Sequence, residues 1–382
     1  MLLQRLKVSG FLSFGPKGID LELRPLNVLI GANGSGKSNL LEAITLMKAT
    51  AAYSVTEASN NQGSARDWLW QGPGSTQEAR IETVLAASGG GPPLRHEIVL
   101  RERNRELALV GEHVSATTLG GEQQVYASSD GEAALWGLDG KRVGFAPDRF
   151  PLGQSIVTRR LDLEQYPALE RLERGYRTGI QLYRNWEFGP NAQLRLPVLR
   201  DTRGDFLKDG GSNLAAVLSE FPSTVRQELI ASLRDLYDGI AGYRVTSRGV
   251  LYLEETDGRE IPAQRLSDGT VRHLCLLSIL LHPEPPALVV IEEPELGLHP
   301  DVIHVVAELL RKASKRMQLI VTTHSRQLID ALGEEPEAVV VCEKEDGESQ
   351  FRRLNGGRMK AWLDRYSLGE LWSKGELGGN RW

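Results

Sequence analysis

Cysteine is scarce in this chain: two in 382 residues, Cys275 and Cys342, far apart, in apolar surroundings and in no CxxC pair. That excludes a disulfide framework and leaves no thiolate zinc site. The seven histidines are scattered, and the nearest two, His299 and His304, are five apart, a spacing that does not place both on one helical face. Long hydrophobic runs are missing too. None approaches the roughly 18–20 residues needed to span a bilayer, and the opening MLLQRLKVSGFLSFG is broken by Gly10 and Ser13 before a signal-peptide core can form. A cytoplasmic protein without membrane attachment is expected. Positive charge is not in excess: 45 Lys and Arg stand against 50 Asp and Glu, for a net charge of -5. A surface coated in basic charge is thereby excluded. Sustained heptads and internal repeats are absent, which argues against long coiled-coil arms.

The chain is long enough for about two to three domains, and 41% hydrophobic residues can fill their cores. Its charge is uneven. From Lys141 to Asp205 twelve Lys and Arg stand against eight Asp and Glu, with Tyr166, Tyr176, Tyr183 and Trp186 among the arginines. Such a patch suits a phosphate backbone, and it equally suits a solvated helical surface.

Periodicity orders the rest. LNVLI (Leu26 to Ile30) reads as a buried strand, GANGSGKS as a loop, and NLLEAITLMKA as a helix with Leu40, Leu41, Ile44 and Met47 on one face. The stretches ARIETVLAA, RHEIVLRE, RELALVG and EQQVYAS alternate as an antiparallel sheet does. Pro151 to Tyr237 turns helical, broken by FGPNAQLRLP, and GYRVTSRGVLYLEET predicts a hairpin. The last third alternates again: helix at LSDGTVRHLCLLSILL, strand at ALVVI, helix at PDVIHVVAELLRKAS, strand at QLIVTT. Near-continuous apolar strands separated by helices imply a parallel sheet covered on both faces. The expected organisation is residues 1–150 as the first part of an α/β head with an antiparallel β subdomain, 151–240 as an inserted mainly helical lobe, and 241–382 as the rest of the head.

GANGSGKS, Gly31 to Ser38, fits GxxxxGK[ST]. Glycines let backbone N–H groups curl around a phosphate, and the following helix offers its positive end. The candidate nucleotide-binding residues are Gly31, Ala32, Asn33, Gly34, Ser35, Gly36, Lys37 and Ser38, followed by Asn39. Lys37 supplies charge to the β and γ phosphates of ATP, and Ser38 a hydroxyl to Mg²⁺. With such a loop present, ALVVIEEPELGLHP gains a meaning. An apolar strand that ends in carboxylates places Glu292 in the magnesium shell and Glu293 where it activates the attacking water, with Glu295 in the loop beyond. LSDGT sets Ser267 and Gly269 at the mouth of a helix that would face anionic charge, and TTHS puts His324 at a strand end within reach of a γ-phosphate. Taken singly, the first is a helix cap and the second a structural histidine.

In their order and spacing, these four motifs resemble Walker A, signature, Walker B with D-loop, and switch histidine of the ABC-type ATPases of the RecF and SMC group. The phrases QSIVTRRLDLEQYP, LYRNWEFGPNAQLR, GSNLAAVL and LGELWSKGELGG are similar to a bacterial set of stand-alone AAA family ATPases, a likeness that covers nearly the whole chain. The resemblance implies a P-loop NTPase head of ABC type, Mg²⁺-dependent ATP hydrolysis, and an ATP-dependent homodimer in which Ser267 and Gly269 of one copy cap the γ-phosphate held by Lys37 of the other. It also implies a glutamine that senses Mg²⁺, for which Gln154 is the candidate and Gln71 in WLWQGPG the competitor. Glu292 stands where many such ATPases carry Asp, and the extra methylene lengthens the reach to the metal.

Three functional readings follow from that resemblance. The first is an ATP-switched dimer handling DNA in repair, recombination or genome maintenance, nearer to RecF than to the long-armed members. The second is the ATPase half of an anti-phage defence system with a separate effector or nuclease, since the residues after His324 are too few for an added nuclease domain. The third, the nucleotide-binding subunit of a transporter, sits poorly with the large insertion between Gln154 and Ser267.

Overall fold

Alternating burial organises the N-terminal third. Strands β1 (Leu3–Ser9) and β2 (Ile19–Glu22) bury every second residue or nearly so, whereas β3 (Leu26–Ile30) is buried throughout and leads through a glycine-rich turn into α1 (Lys37–Ala49). The computed structural model describes residues 2–52, 55–59, 63–129, 132–145, 154–158, 165–199 and 202–379. The chain divides into two units, one of Met1–Gln181, Val340–Arg353 and Leu377–Trp382, the other of Leu182–Val339 and Leu354–Glu376.

In the first unit, α2 (Val55–Ser59) is followed by β4 (Glu78–Leu85), β5 (Leu94–Arg103), β6 (Glu106–Thr118), β7 (Gly121–Ser129), β8 (Glu132–Trp136) and β9 (Arg142–Phe145). They form an antiparallel eight-stranded sheet in the order β2-β1-β4-β5-β6-β7-β8-β9. The four alternating stretches of the sequence are β4 to β7, so the antiparallel expectation holds. Helix α3 (Pro167–Arg177) precedes β10 (Ile180–Tyr183) and is pinned to the sheet by Tyr176. Its hydroxyl lies 2.5 Å from Thr83 Oγ1 and 3.0 Å from His96 Nδ1, and His96 Nε2 lies 2.8 Å from the buried carboxylate of Glu112. Buried polar groups are tolerated because each has a partner. The unit closes with β16 (Val339–Glu345), which lies beside β3, and β17 (Glu348–Arg353), a hairpin whose Asp346-Gly347 turn has positive φ at both residues, the combination that a type I′ turn requires.

The second unit holds α4 (Leu214–Glu220), α5 (Ser223–Arg234), the three-stranded sheet β11 (Ile240–Val245), β12 (Leu251–Glu255) and β13 (Glu260–Pro262), then α6 (Asp268–Leu280), β14 (Leu288–Glu292), α7 (Ile303–Ser314), β15 (Gln318–Thr323), α8 (Arg326–Asp330), α9 (Gly356–Leu363) and α10 (Leu368–Ser373). The predicted hairpin is β11–β12, paired antiparallel from Ile240 opposite Glu255 to Val245 opposite Leu251. Among the described residues of 184–213 there is a single 3-10 turn, Gln193–Arg195, in a stretch punctuated by Gly189, Pro190 and Pro197. Strands β14 and β15 run parallel, as their apolar sequences demand, with Leu288 opposite Gln318 and Glu292 opposite Thr322. Leu288, Val289, Val290 and Ile291 are fully buried, and each large aliphatic stabilises the core by about 1.5–3 kcal/mol. The apolar run stops at Glu292 because an ionised carboxylate cannot follow it inward without a partner. Polar residues thus collect at the carboxyl ends of parallel strands, where open α/β sheets bind ligands. No helix among the described residues is long and apolar enough to cross a membrane.

Candidate functional site

The candidate residues fall in two constellations, one in each unit. In the first, the turn between β3 and α1 winds through positive φ at Gly34 (77°) and Gly36 (98°), conformations open to glycine and costly for other residues. A Cβ at Gly36 would stand 2.2 Å from Ser349 Oγ, and one at Gly31 would stand 2.1 Å from the Cys342 carbonyl, so neighbouring backbone and side chains press directly on the loop. Gly31, Ser35, Gly36 and Lys37 are buried, whereas Asn33, Gly34 and Ser38 are exposed. The Lys37 ammonium donates to the carbonyls of Gly31 at 2.8 Å and Ala32 at 3.0 Å. Asn39 Nδ2 donates to Ser13 Oγ at 2.6 Å, and the Ala32 N–H donates to Gly379 O at 2.6 Å. These residues fit a polyphosphate: the cation is already inside the turn, the helix N-terminus opens on it, and no atom lies within 4 Å of where a Gly34 Cβ would be.

The same unit holds both candidate sensor glutamines. Gln71 donates its amide to the Arg66 carbonyl at 3.0 Å, and Gln154 is exposed, beside Ser155 and Ile156, which bond the buried Glu112 through the Ser155 hydroxyl and the Ile156 N–H. Arg159 and Arg160, part of the arginine-rich patch, lie outside the described residues.

In the second unit, β14 and β15 deliver the acidic and imidazole groups to one edge. Glu293 follows β14 in the left-handed region, φ 47°, held there by its N–H to Thr322 O at 3.1 Å and by the Arg272 guanidinium on its carbonyl. That twist turns the Glu293 side chain away from the strand direction, and its Oε1 lies 3.5 Å from His324 Nε2. Each of the two side chains is about one-third exposed, 35% for Glu293 and 33% for His324. Glu292 points elsewhere: its carboxylate meets Arg184 Nε at 3.1 Å, and its carbonyl accepts from Trp186 Nε1 at 3.2 Å.

Ser267 is the N-cap of α6 and accepts from the Thr270 N–H at 3.1 Å; its side chain is exposed. Gly269 sits where a Cβ would be 3.1 Å from the Gly297 carbonyl, so the helix start and the loop after β14 approach closely. Asp268, between them, pairs with the buried Arg195, which also holds the carbonyls of Ala263 at 2.8 Å and Leu266 at 2.7 Å.

Sequence reasoning assigned no role to several residues that shape this site. Glu295 is not a passive loop residue: partly buried, it accepts from Thr323 Oγ1 at 2.6 Å and from the His324 N–H at 3.0 Å. Burial pushes its pKa above the usual carboxylate value, against the pull of those donors. Arg272 lies under the rings of Trp186 and Phe188, at 5.2 and 5.1 Å, and burial lowers its pKa to about 10. The only signal available beforehand was the phrase holding Arg184, Trp186 and Phe188, which has no repeat or motif of its own.

Two family models match the chain. One is described as an AAA domain, with the AbiEii toxin and a Type IV TA system named in its description, and covers residues 144–330. The other is described as an AAA domain and covers residues 5–106. Among solved structures, an SMC head bound to the C-terminal winged-helix domain of ScpA is similar over 94% of this chain and 99% of that one, with a TM-score of 0.60 at 14% identity. The SMC head domain from Thermotoga maritima is similar over 93% and 100%, at 0.51 and 17%. The Pyrococcus furiosus SMC head with an extended coiled coil, bound to the C-terminal domain of ScpA, is similar over 95% and 98%, at 0.54 and 14%. No curated protein matches the sequence. The chain thus has a mixed α/β, SMC-head-like fold, and two of its segments match AAA-domain models.

Proposed function

We propose that this protein binds ATP with Mg²⁺ through Gly31–Ser38 and hydrolyses it. The supporting observation is the pairing of Glu293 and His324, 3.5 Å apart at the ends of two hydrogen-bonded parallel strands. In this reading Glu293 takes the proton of the attacking water, and His324 donates a hydrogen bond to the γ-phosphate and thereby orients the group under attack. Lys37 exchanges its two carbonyl partners for phosphate oxygens. Ser38 and Glu292 are the residues that would hold Mg²⁺, which would supply positive charge to the phosphates, and Gln154 is the residue that would sense it. Glu292 must leave Arg184 to do so.

Ser267, exposed, and Gly269, partly exposed, at the start of α6 act on the nucleotide of a second copy, so the active form is an ATP-dependent homodimer. The parts are the head segments 1–150 and 241–382 with the helical lobe 151–240 inserted, in a cytoplasmic protein. Release of phosphate by purified protein in Mg²⁺ and ATP tests the reading; no turnover at any protein concentration would overturn it.

The arginine-rich stretch with interleaved aromatics favours DNA as what the switch acts on, in repair or genome maintenance. The match to a family described with a toxin of a Type IV TA system favours a second reading, an ATPase that governs a separate effector. The SMC heads bound to ScpA make a small winged-helix domain a further partner to test. A pull-down with the ATP-locked protein separates these outcomes.

A further inference from the structure

A backbone hydrogen bond ties the glycine loop to a segment late in the sequence. The Ala32 N–H donates to Gly379 O at 2.6 Å. The Gly379 N–H in turn donates to Glu343 Oε2 at 3.0 Å, and Arg352 Nη2 donates to Leu377 O at 2.7 Å. Glu343 is on β16 and Arg352 on β17, so Leu377–Gly379 is fastened to that hairpin at both of its ends. Leu377 adds a buried side chain.

Two glycines make the fit possible. Gly378 and Gly379 both lie in the left-handed region, φ 76° and 70°, open to glycine and costly for a residue with a Cβ. Space excludes a side chain as well. A Cβ at Gly378 would stand 2.5 Å from Glu343 Oε2. One at Gly379 would stand 2.9 Å from Val341 Cγ1, 3.2 Å from the Cys342 carbonyl and 3.4 Å from Gly31 Cα. The turn is thus packed against β16 and against the first residue of the glycine loop.

A loop with glycine at 31, 34 and 36 has many conformations open to it, and ordering them on binding lowers affinity. Two sets of contacts restrain Gly31 and Ala32. Lys37 holds their carbonyls, but a Lys37 that turns to phosphate oxygens releases both. The bond from the Ala32 N–H to Gly379 does not depend on Lys37 and survives that exchange. Nor does the segment lie over the open part of the loop: its partners there are Gly31 and Ala32, whereas Asn33, Gly34 and Ser38 stay exposed. These contacts suit a buttress and not a plug.

We propose that Glu343 and Gly379 are positioning residues of the nucleotide site: the carboxylate sets the Gly378–Gly379 turn, and the turn holds the Ala32 peptide in the shape that receives phosphates. This rests on the reading of Gly31–Ser38 as an ATP site. The test titrates full-length protein calorimetrically with Mg²⁺ and the non-hydrolysable β,γ-imido analogue of ATP, and follows hydrogen exchange over residues 30–36 without nucleotide. Glu343→Ala and Gly379→Ala should each weaken binding by about tenfold and speed that exchange. Turnover at saturating ATP should stay within about twofold of the parent, since only the shape of the empty loop is lost, and the nucleotide-free Tm of Glu343→Ala should match the parent's. Glu343→Gln keeps an oxygen for the Gly379 N–H and should bind as the parent does, a rescue that loss of packing alone would not give. Should Gly379→Ala fail to fold, the two Glu343 variants decide. Unchanged affinity in the alanine variants that fold, tighter binding in them, or an equal loss in Glu343→Gln overturns the proposal and leaves the ATP site standing. Absence of binding in the parent itself overturns the ATP reading and the proposal with it.

Discussion

Arg184 Nε stands 3.1 Å from the carboxylate of Glu292, while Trp186 Nε1, two residues along, holds the carbonyl of the same glutamate at 3.2 Å. One short segment therefore grips both ends of the residue that terminates β14. A carboxylate engaged by a guanidinium is a poorer ligand for Mg²⁺, which needs the same lone pairs. Arg184→Met should lower the Mg²⁺ concentration for half-maximal ATPase activity by up to about fivefold, the range open to a partly exposed pair. A Mg²⁺ titration of parent and variant checks this. An unchanged requirement would mean that Arg184 does not compete with the metal.

Glu293→Gln removes the proton acceptor and keeps the shape. Turnover should fall by about 10²–10⁴, the usual contribution of a positioned general base, while ATP affinity stays nearly the same. Nucleotide-bound dimer should accumulate on a sizing column. Hydrolysis at the parent rate would remove the role from this residue.

Exposed Ser267, set at the start of α6 for use by a second copy, predicts activity that climbs more steeply than linearly with protein concentration. Lys37→Ala and Ser267→Arg should each be inactive, and an equimolar mixture should recover activity, because one of the two composite sites then retains both parts. The readout is phosphate release across a dilution series. Strictly linear activity in the parent, or no recovery in the mixture, argues for a site complete within one chain.

His273, fully buried on α6, gives a pH signature in stability. Burial holds its pKa below the ordinary 6.5, so on acidification the unfolded chain takes up the proton first. Stability contributed above pH 6.5 is then lost as pH falls through that value toward the folded pKa. The buried His282 shifts in the same direction. His273→Leu should therefore lose less stability than the parent between about pH 7.5 and about pH 5.5, measured as urea midpoints. Equal losses would show that His273 does not set the acid limit.

Much of the fold was legible because its signals are local. GANGSGKS places its glycines where the backbone must take positive φ, and the neighbouring LNVLI and NLLEAITLMKA are buried strand and helix. The alternation of β4 to β7 and the apolar runs of β14 and β15 fixed antiparallel and parallel pairing for the same reason. Less could be read from single residues. Nothing in the sequence separates Gln71 from Gln154, and the difference lies in the Arg66 carbonyl that Gln71 engages. Glu295 looked like a loop residue because its partners, Thr323 and His324, sit one strand away.

The sequence by itself determined the kinds of element and the phosphate-type loop, since both follow from side-chain period and glycine conformation over a few consecutive residues. Only the tertiary structure decided which way Glu292, at the end of β14, and Glu293, just after it, face. Arg184 draws Glu292 to one side, and Arg272, by gripping the Glu293 carbonyl, helps to turn that residue toward His324. Those contacts join residues tens of positions apart, and no local pattern encodes a meeting that depends on how separate strands and helices pack.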